Sequence, residues 1–278
     1  MRIIVDLGGT KGDWCFILRD GRMERYVTRG FNPVLQSMWD LEQIIKSELP
    51  HLTEPVEVMH YYGAGVHGET IYNSLYTTLK HLMHTDEVEI HNDLMAACRA
   101  TCQHESGIVS ILGTGSASCL FNGTDIEDKI PSLGFIAGDE GAGSRIGKRV
   151  LQAYFYREMP TDIQAEYEEN YPLGREEILE NIYKRPGANS YLASFANFAL
   201  TQRRHPFMEN IISEEFDRFV VRHLLKYNNA RQLKCHFVGS IAWFAQDILK
   251  ASLERHNLTL GSVIRKPIDD LVRYHSHS

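Results

Sequence analysis

Two glycine-bearing turns, each set between apolar runs, constrain this chain most. The first is Asp6-Leu7-Gly8-Gly9-Thr10-Lys11-Gly12-Asp13, and the second is Leu112-Gly113-Thr114-Gly115-Ser116-Ala117-Ser118. In each, a short apolar run (Arg2–Leu7, Ile108–Leu112) reads as a buried strand. A second strand (Asp13–Leu18, Ser116–Phe121) returns beside it. The glycines let backbone N–H groups approach an anion closely, and Thr and Ser hydroxyls add donors. An ordinary hairpin turn needs neither Asp6 nor Thr10. Asp6, at the strand end, is placed to hold a phosphate-bound Mg²⁺ through water. Two such turns, each opening one half of the chain, point to a polyphosphate gripped from both sides.

Periodicity places these turns in an α/β protein with two sheets. Strands are expected at Glu24–Thr28, Val56–Tyr62, Glu87–His91 and Cys235–Val238. Helices are expected at Leu35–Leu49, Glu69–Met83 and Leu94–Cys102, and then at Arg145–Met159, Arg175–Lys184, Ser190–Gln202 and Phe207–Tyr227. A last helix follows Gly239, with Ile241, Phe244, Ala245, Ile248 and Leu249 on one face. The pattern breaks at residues 103–107, so the expected domains are 1–105 and 106–264. A C-terminal helix within 265–278 is expected to pack back on the first domain. The closing His275-Ser276-His277-Ser278 reads as a frayed end rather than a metal site.

Four further segments bear on chemistry. Asp93, in Ile90-His91-Asn92-Asp93-Leu94, stands at a strand end opening a helix, where α/β proteins place ligand chemistry. A carboxylate there can take a proton from an attacking hydroxyl, or it can merely cap the helix. Gly138-Asp139-Glu140-Gly141-Ala142-Gly143 enters a helix, with N-capping by Asp139 the plain alternative. The run on to Lys148 has the wrong spacing for a P-loop, with Arg149 where Ser or Thr is needed. Gly63-Ala64-Gly65-Val66-His67-Gly68 is a literal dinucleotide fingerprint, with Glu87 and Glu89 at the acidic position. Taken alone it is weak, and it explains none of the other glycine clusters. Asn32, in Gly30-Phe31-Asn32-Pro33, is a loop polar residue whose plain role is turn initiation.

Charge and cysteine usage narrow the classes. Lys and Arg number 29 against 36 Asp and Glu, a net charge of −7, with no basic block. That argues against nucleic acid or an anionic membrane surface as partner. No apolar run reaches the ~20 residues of a membrane helix. Five scattered cysteines fit reduced thiols in a cytoplasmic protein. A metal or redox pair at Cys98 and Cys102 has no supporting ligand pattern.

DLGGTKGD and LGTGSASC, with an Asn-Asp before a helix and GDEGAG, together resemble the sugar-kinase, heat-shock-chaperone and actin superfamily. Within it the chain is similar to the N-acetylglucosamine kinase branch, grouped with the BadF/BadG/BcrA/BcrD-type ATPases. The resemblance implies two ribonuclease H-like (actin-like ATPase) domains with a nucleotide cleft between them, and ATP with Mg²⁺ as cofactors. The first phosphate loop then falls on Gly8, Gly9, Thr10 and Lys11, with Asp6 on the Mg²⁺ side. The second falls on Gly113, Thr114, Gly115 and Ser116, and the adenosine site on Gly239 and Ser240. The catalytic base falls on Asp93, and sugar contacts fall on Asn32, Gly134 and Asp139. An aromatic expected next to that glycine is replaced by Leu133, with Phe135 following. The implied partner is a small amino sugar, most simply N-acetylglucosamine phosphorylated at O6, with a homodimer the default assembly. ROK-type sugar kinases would add a zinc-binding Cys/His cluster, and dehydratase activators an iron–sulfur site; the cysteines stand in neither arrangement. A regulatory ATPase and a dinucleotide oxidoreductase are the alternatives from other classes.

Overall fold

The structure, a computed structural model, describes residues 1–172 and 174–276. Two five-stranded sheets organise it. The chain divides into two compact units, one of residues 1–104 with the segment from Lys266 onward, the other of Glu105–Arg265.

In the first unit the strands are β1 (Arg2–Leu7), β2 (Lys11–Ile17), β3 (Met23–Arg29), β4 (Val58–Gly63) and β5 (Val88–Asn92). Their order is β3-β2-β1-β4-β5. The first three form an antiparallel meander, and β4 and β5 run parallel to β1. Alternation along β1 sends Ile3, Val5 and Leu7 into one core with Met59, Tyr61, Val88 and Ile90. Leu41, Ile44, Leu75 and Leu79 of helices Met38–Glu48 and Glu69–Met83 cover that face. The first of these helices starts three residues later than its apolar period predicts. Ser37 and Asp40 form a reciprocal capping box there, which leaves Leu35 81% exposed.

The opposite face carries the helices Asp93–Cys102 and Ile268–Ser276, which pack on each other. The latter corrects the expected frayed end. His275 is 5% exposed, its ring lies on that of His60, and Arg2 donates to its carbonyl at 2.9 Å. His277 and Ser278 lie outside the described residues.

The second unit repeats the topology. Its strands are β6 (Gly107–Leu112), β7 (Ser116–Phe121), β8 (Ile126–Ile130), β9 (Lys234–Val238) and β10 (Thr259–Ile264), ordered β10-β9-β6-β7-β8. Again three strands form an antiparallel meander and two run parallel to its first member. A larger core built mainly from helices Gly143–Phe155, Pro206–Arg222 and Gln246–Arg255 lies against it. The helical run expected at Ser190–Gln202 breaks at Phe195 into two helices. The one expected to reach Tyr227 ends at Arg222, with a 3₁₀ turn at Leu224–Lys226. The helix after Gly239 breaks at Ala245. Among the described residues, no helix is long and apolar enough to cross a membrane.

Candidate active site

The first phosphate-loop candidate is the hairpin joining β1 and β2, and its shape is held from outside. Gly30 N–H donates to Thr10 O, and Phe31 N–H to Gly8 O, each at 3.0 Å. A Cβ on Gly30 would overlap Thr10 N, Gly8 O and Gly9 C, so only glycine lets this strand end lie against the loop. With those carbonyls engaged, Gly9, Thr10 and Lys11 stand exposed. The sequence reading missed Gly30, whose only sign was its place after a predicted strand.

Asp6 ends the apolar run of β1 and pairs across the ladder with Asp13. Opposite residues on an antiparallel pair share a face, so two carboxylates converge there. Lys266, at the head of the C-terminal helix, donates to Asp13 at 2.6 Å. Burial, then the charges of Asp93 and Asp13, push the Asp6 carboxyl up to about 7, against the pull of Lys266. Asp93 is raised to about 6 by burial, opposed by the Leu94 backbone N–H and its own. Tyr61, influenced by both carboxylates, has a buried hydroxyl without a hydrogen-bond partner.

Asp93 is not the cap of its helix. Asn92 is, accepting from Met95 N–H at 2.8 Å, while the Asp93 carboxylate takes only the Leu94 amide and its own. Asn32 does initiate a turn: its Oδ1 accepts from Val34 N–H at 3.0 Å. The Gly63–Gly68 segment packs on it, since a Cβ at Gly65 would overlap Asn32 Oδ1. The segment does sit inside a parallel βαβ unit, between β4 and the helix Glu69–Met83 with β5 beyond, but Gly65 is committed to the Asn32 side chain. Glu89, one of the two acidic candidates of that fingerprint, bonds His60 Nδ1 at 2.9 Å.

In the second unit the β6–β7 hairpin forms the other loop. Gly143 N–H donates to Gly113 O at 2.8 Å and Ser144 N–H to Thr114 O at 3.1 Å. The first amides of a 13-residue helix thus lock the turn. Ser116 N–H is taken by Asp139 Oδ1 at 3.4 Å, leaving its buried hydroxyl without a partner. Asp139 does not cap the helix, where Ala142 is the cap residue. It accepts from Ser132 Oγ at 3.1 Å, and burial raises its carboxyl against the Ser116 and Ser132 donors. Gly134, at φ 69°, opens a short helix, with Leu133 and Ile136 exposed around it. Gly239, at φ 121°, lies so close to Leu112 O that a Cβ would overlap it. Beyond Gly239 and Ser240, the half-exposed Phe244 ring carries the Arg265 guanidinium at 5.0 Å.

Among the described residues no group of three or more His, Cys, Asp or Glu side chains gathers as a metal site, and all five cysteines are buried. A phosphate-bound Mg²⁺ does not require such a group. It keeps most of its waters and takes one or two carboxylates, which suits Asp6, raised by burial and then by the negative charges of Asp93 and Asp13.

Two five-stranded sheets of repeated topology, each with a glycine turn between its first two strands, define the fold of actin-like ATPases and ROK kinases. The chain belongs to the BadF/BadG/BcrA/BcrD ATPase family, whose model matches residues 5–215. It is 34% identical to a candidate N-acetylglucosamine kinase from Porphyromonas gingivalis, with a TM-score of 0.94 over 100% of this chain and 99% of that one. A candidate N-acetylglucosamine kinase from Chromobacterium violaceum shares the fold at 16% identity and a TM-score of 0.76, covering 98% of both chains. So does a ROK family glucokinase from Streptomyces griseus, solved with glucose and AMPPNP, at 12% identity and 0.56, over 100% of this chain and 98% of that one. No curated protein sequence matches the chain.

Proposed function

We propose that the protein is an ATP-dependent sugar kinase that moves the γ-phosphoryl group of ATP to a hydroxyl of an amino sugar, most simply O6 of N-acetylglucosamine. One observation carries the reading beyond an ATPase. Asp93, just after β5 and first in the next helix, has a carboxyl raised to about 6, and Asn92 is the cap residue in its place. A base poised near neutral pH suits abstraction of a proton from a sugar hydroxyl. The likeness to the P. gingivalis protein supports the acceptor class.

In this reading the amides of Gly8, Gly9, Thr10 and Lys11 bind phosphate oxygens, as do Gly113, Thr114, Gly115 and the Ser116 hydroxyl. Asp6 holds Mg²⁺ through water, and the ion neutralises charge growing on the transferred group. Asp93 orients the acceptor hydroxyl and takes its proton. Asn32, through its Nδ2, Asp139 and the Gly134 segment position the ring, and Gly239 and Ser240 take the adenosine. The test is ADP release with Mg²⁺ and ATP, with and without a panel of amino sugars. Release that depends on an N-acylated sugar supports the kinase. Release at the same rate without sugar assigns a regulatory ATPase instead.

A further inference from the structure

The GDEGAG segment holds two acidic residues, and the reading above uses only Asp139. Glu140 is the more deeply buried, at 3% exposure. Its carboxylate accepts from Arg222 Nη1 and, at 3.3 Å, from His223 Nε2. Burial pushes its carboxyl up, but its own backbone N–H, His223 and Arg222 outweigh that and hold it below the usual glutamate value. Buried ion pairs are weak evidence for stability, because desolvation offsets much of the attraction; their best-attested use is to specify one conformation.

The conformation specified here is unusual. Asp139 sits at φ 58°, a left-handed backbone, and Gly141 at 73°. Ala142 N–H closes the turn onto Asp139 O at 3.1 Å. Gly141 lies against the Pro206–Arg222 helix, where a Cβ would come within 3.1 Å of Phe219 Cβ. Phe219 in turn stacks on the His223 ring at 4.8 Å. From this anchored turn the Asp139 carboxylate reaches Ser116 N–H and Ser132 Oγ, and the next two amides reach Gly113 O and Thr114 O. The turn therefore grips the loop, and Glu140 grips the turn.

We propose that Glu140 is a positioning residue: clamped by Arg222 and His223, it fixes Asp139 and so sets the phosphate-binding shape of Gly113–Ser116. The inference rests on the kinase reading only in taking that loop to bind nucleotide.

Affinity for Mg·ATP, measured by calorimetry without sugar, tests it on the full-length protein. Glu140→Ala is expected to weaken binding on the order of tenfold. Glu140→Gln, which keeps an acceptor for Arg222, should stay within about threefold of the wild type. Phe216→Leu, a core change on the same helix, should lower the melting temperature without changing ATP affinity. If Glu140 acts through Asp139, then Asp139→Gly, which removes the carboxylate without straining the left-handed backbone, combined with Glu140→Ala should bind no more weakly than Asp139→Gly alone. Unchanged affinity in Glu140→Ala overturns the proposal. So does a loss that Phe216→Leu reproduces at matched melting temperature, or a double variant in which the two losses multiply. If these affinities behave as expected while no amino sugar is phosphorylated, the kinase reading falls and the clamp stands.

Discussion

The imidazole rings of His60 and His275 stack with centroids 3.6 Å apart and planes 20° from parallel. Arg99 Nη1 donates to the Tyr62 hydroxyl at 2.7 Å, and that hydroxyl shares a hydrogen bond with His275 Nε2, 2.8 Å away. Burial, then the nearby His60, Arg99, His91 and Arg2, hold His275 down to about 3.

The sign of the pH dependence follows. A histidine depressed in the folded state is protonated more readily when unfolded. Its contribution is complete above the unfolded value of about 6.5 and is lost as pH falls from there toward 3. The wild type should lose a few kcal/mol across that window, which thermal melts at a series of pH values will show. A His275→Gln variant should give a flatter profile.

Asp93→Asn should bind ATP normally and lose about 10²–10⁴ in kcat, the share of a general base. In the wild type, activity should rise with pH through about 6 as Asp93 ionises. Near-normal turnover in Asp93→Asn would remove it as the base.

Gly30→Ala should disturb the first loop from a distance in sequence. The added methyl overlaps three backbone atoms of Gly8–Thr10, which cannot swing aside as a side chain would. A loss of about 1–3 kcal/mol in stability is expected, with weaker ATP binding. Denaturant melts and nucleotide titration check both.

Thr114→Val keeps the backbone carbonyl that Ser144 N–H uses and removes only the hydroxyl. ATP affinity should fall on the order of tenfold, one lost hydrogen bond to a charged group. Stability should move little, and an unchanged apparent ATP affinity would exclude this hydroxyl from the loop's function.

The edge strands of the second sheet were the least legible elements. β8 reads Ile-Glu-Asp-Lys-Ile, charged through its exposed middle, and β10 carries Gly261 with a register shift between Leu260 and Val263. Neither has the apolar run that marked β1 or β6, because an edge strand buries less. The helix Thr161–Asn170 escaped notice because only Ile163 and Tyr167 of it are buried. By contrast, Glu69–Met83 matched its period residue for residue, with Leu75, Leu79 and Met83 at the i, i+4 spacing of one buried face.

What the sequence by itself determined was local: which runs are strands, which turns are glycine-built, and that Asp6 and Asp93 stand at strand ends. Those features rest on backbone freedom and apolar spacing over a few residues, so a short window contains their cause. Only the tertiary structure decided that Gly30 shapes the first loop, that Glu140 meets Arg222 across 82 residues, and that Tyr62 meets His275 across 213. Each of those pairings depends on which buried polar groups the packed helices leave facing one another, and no neighbouring residue in the chain records it.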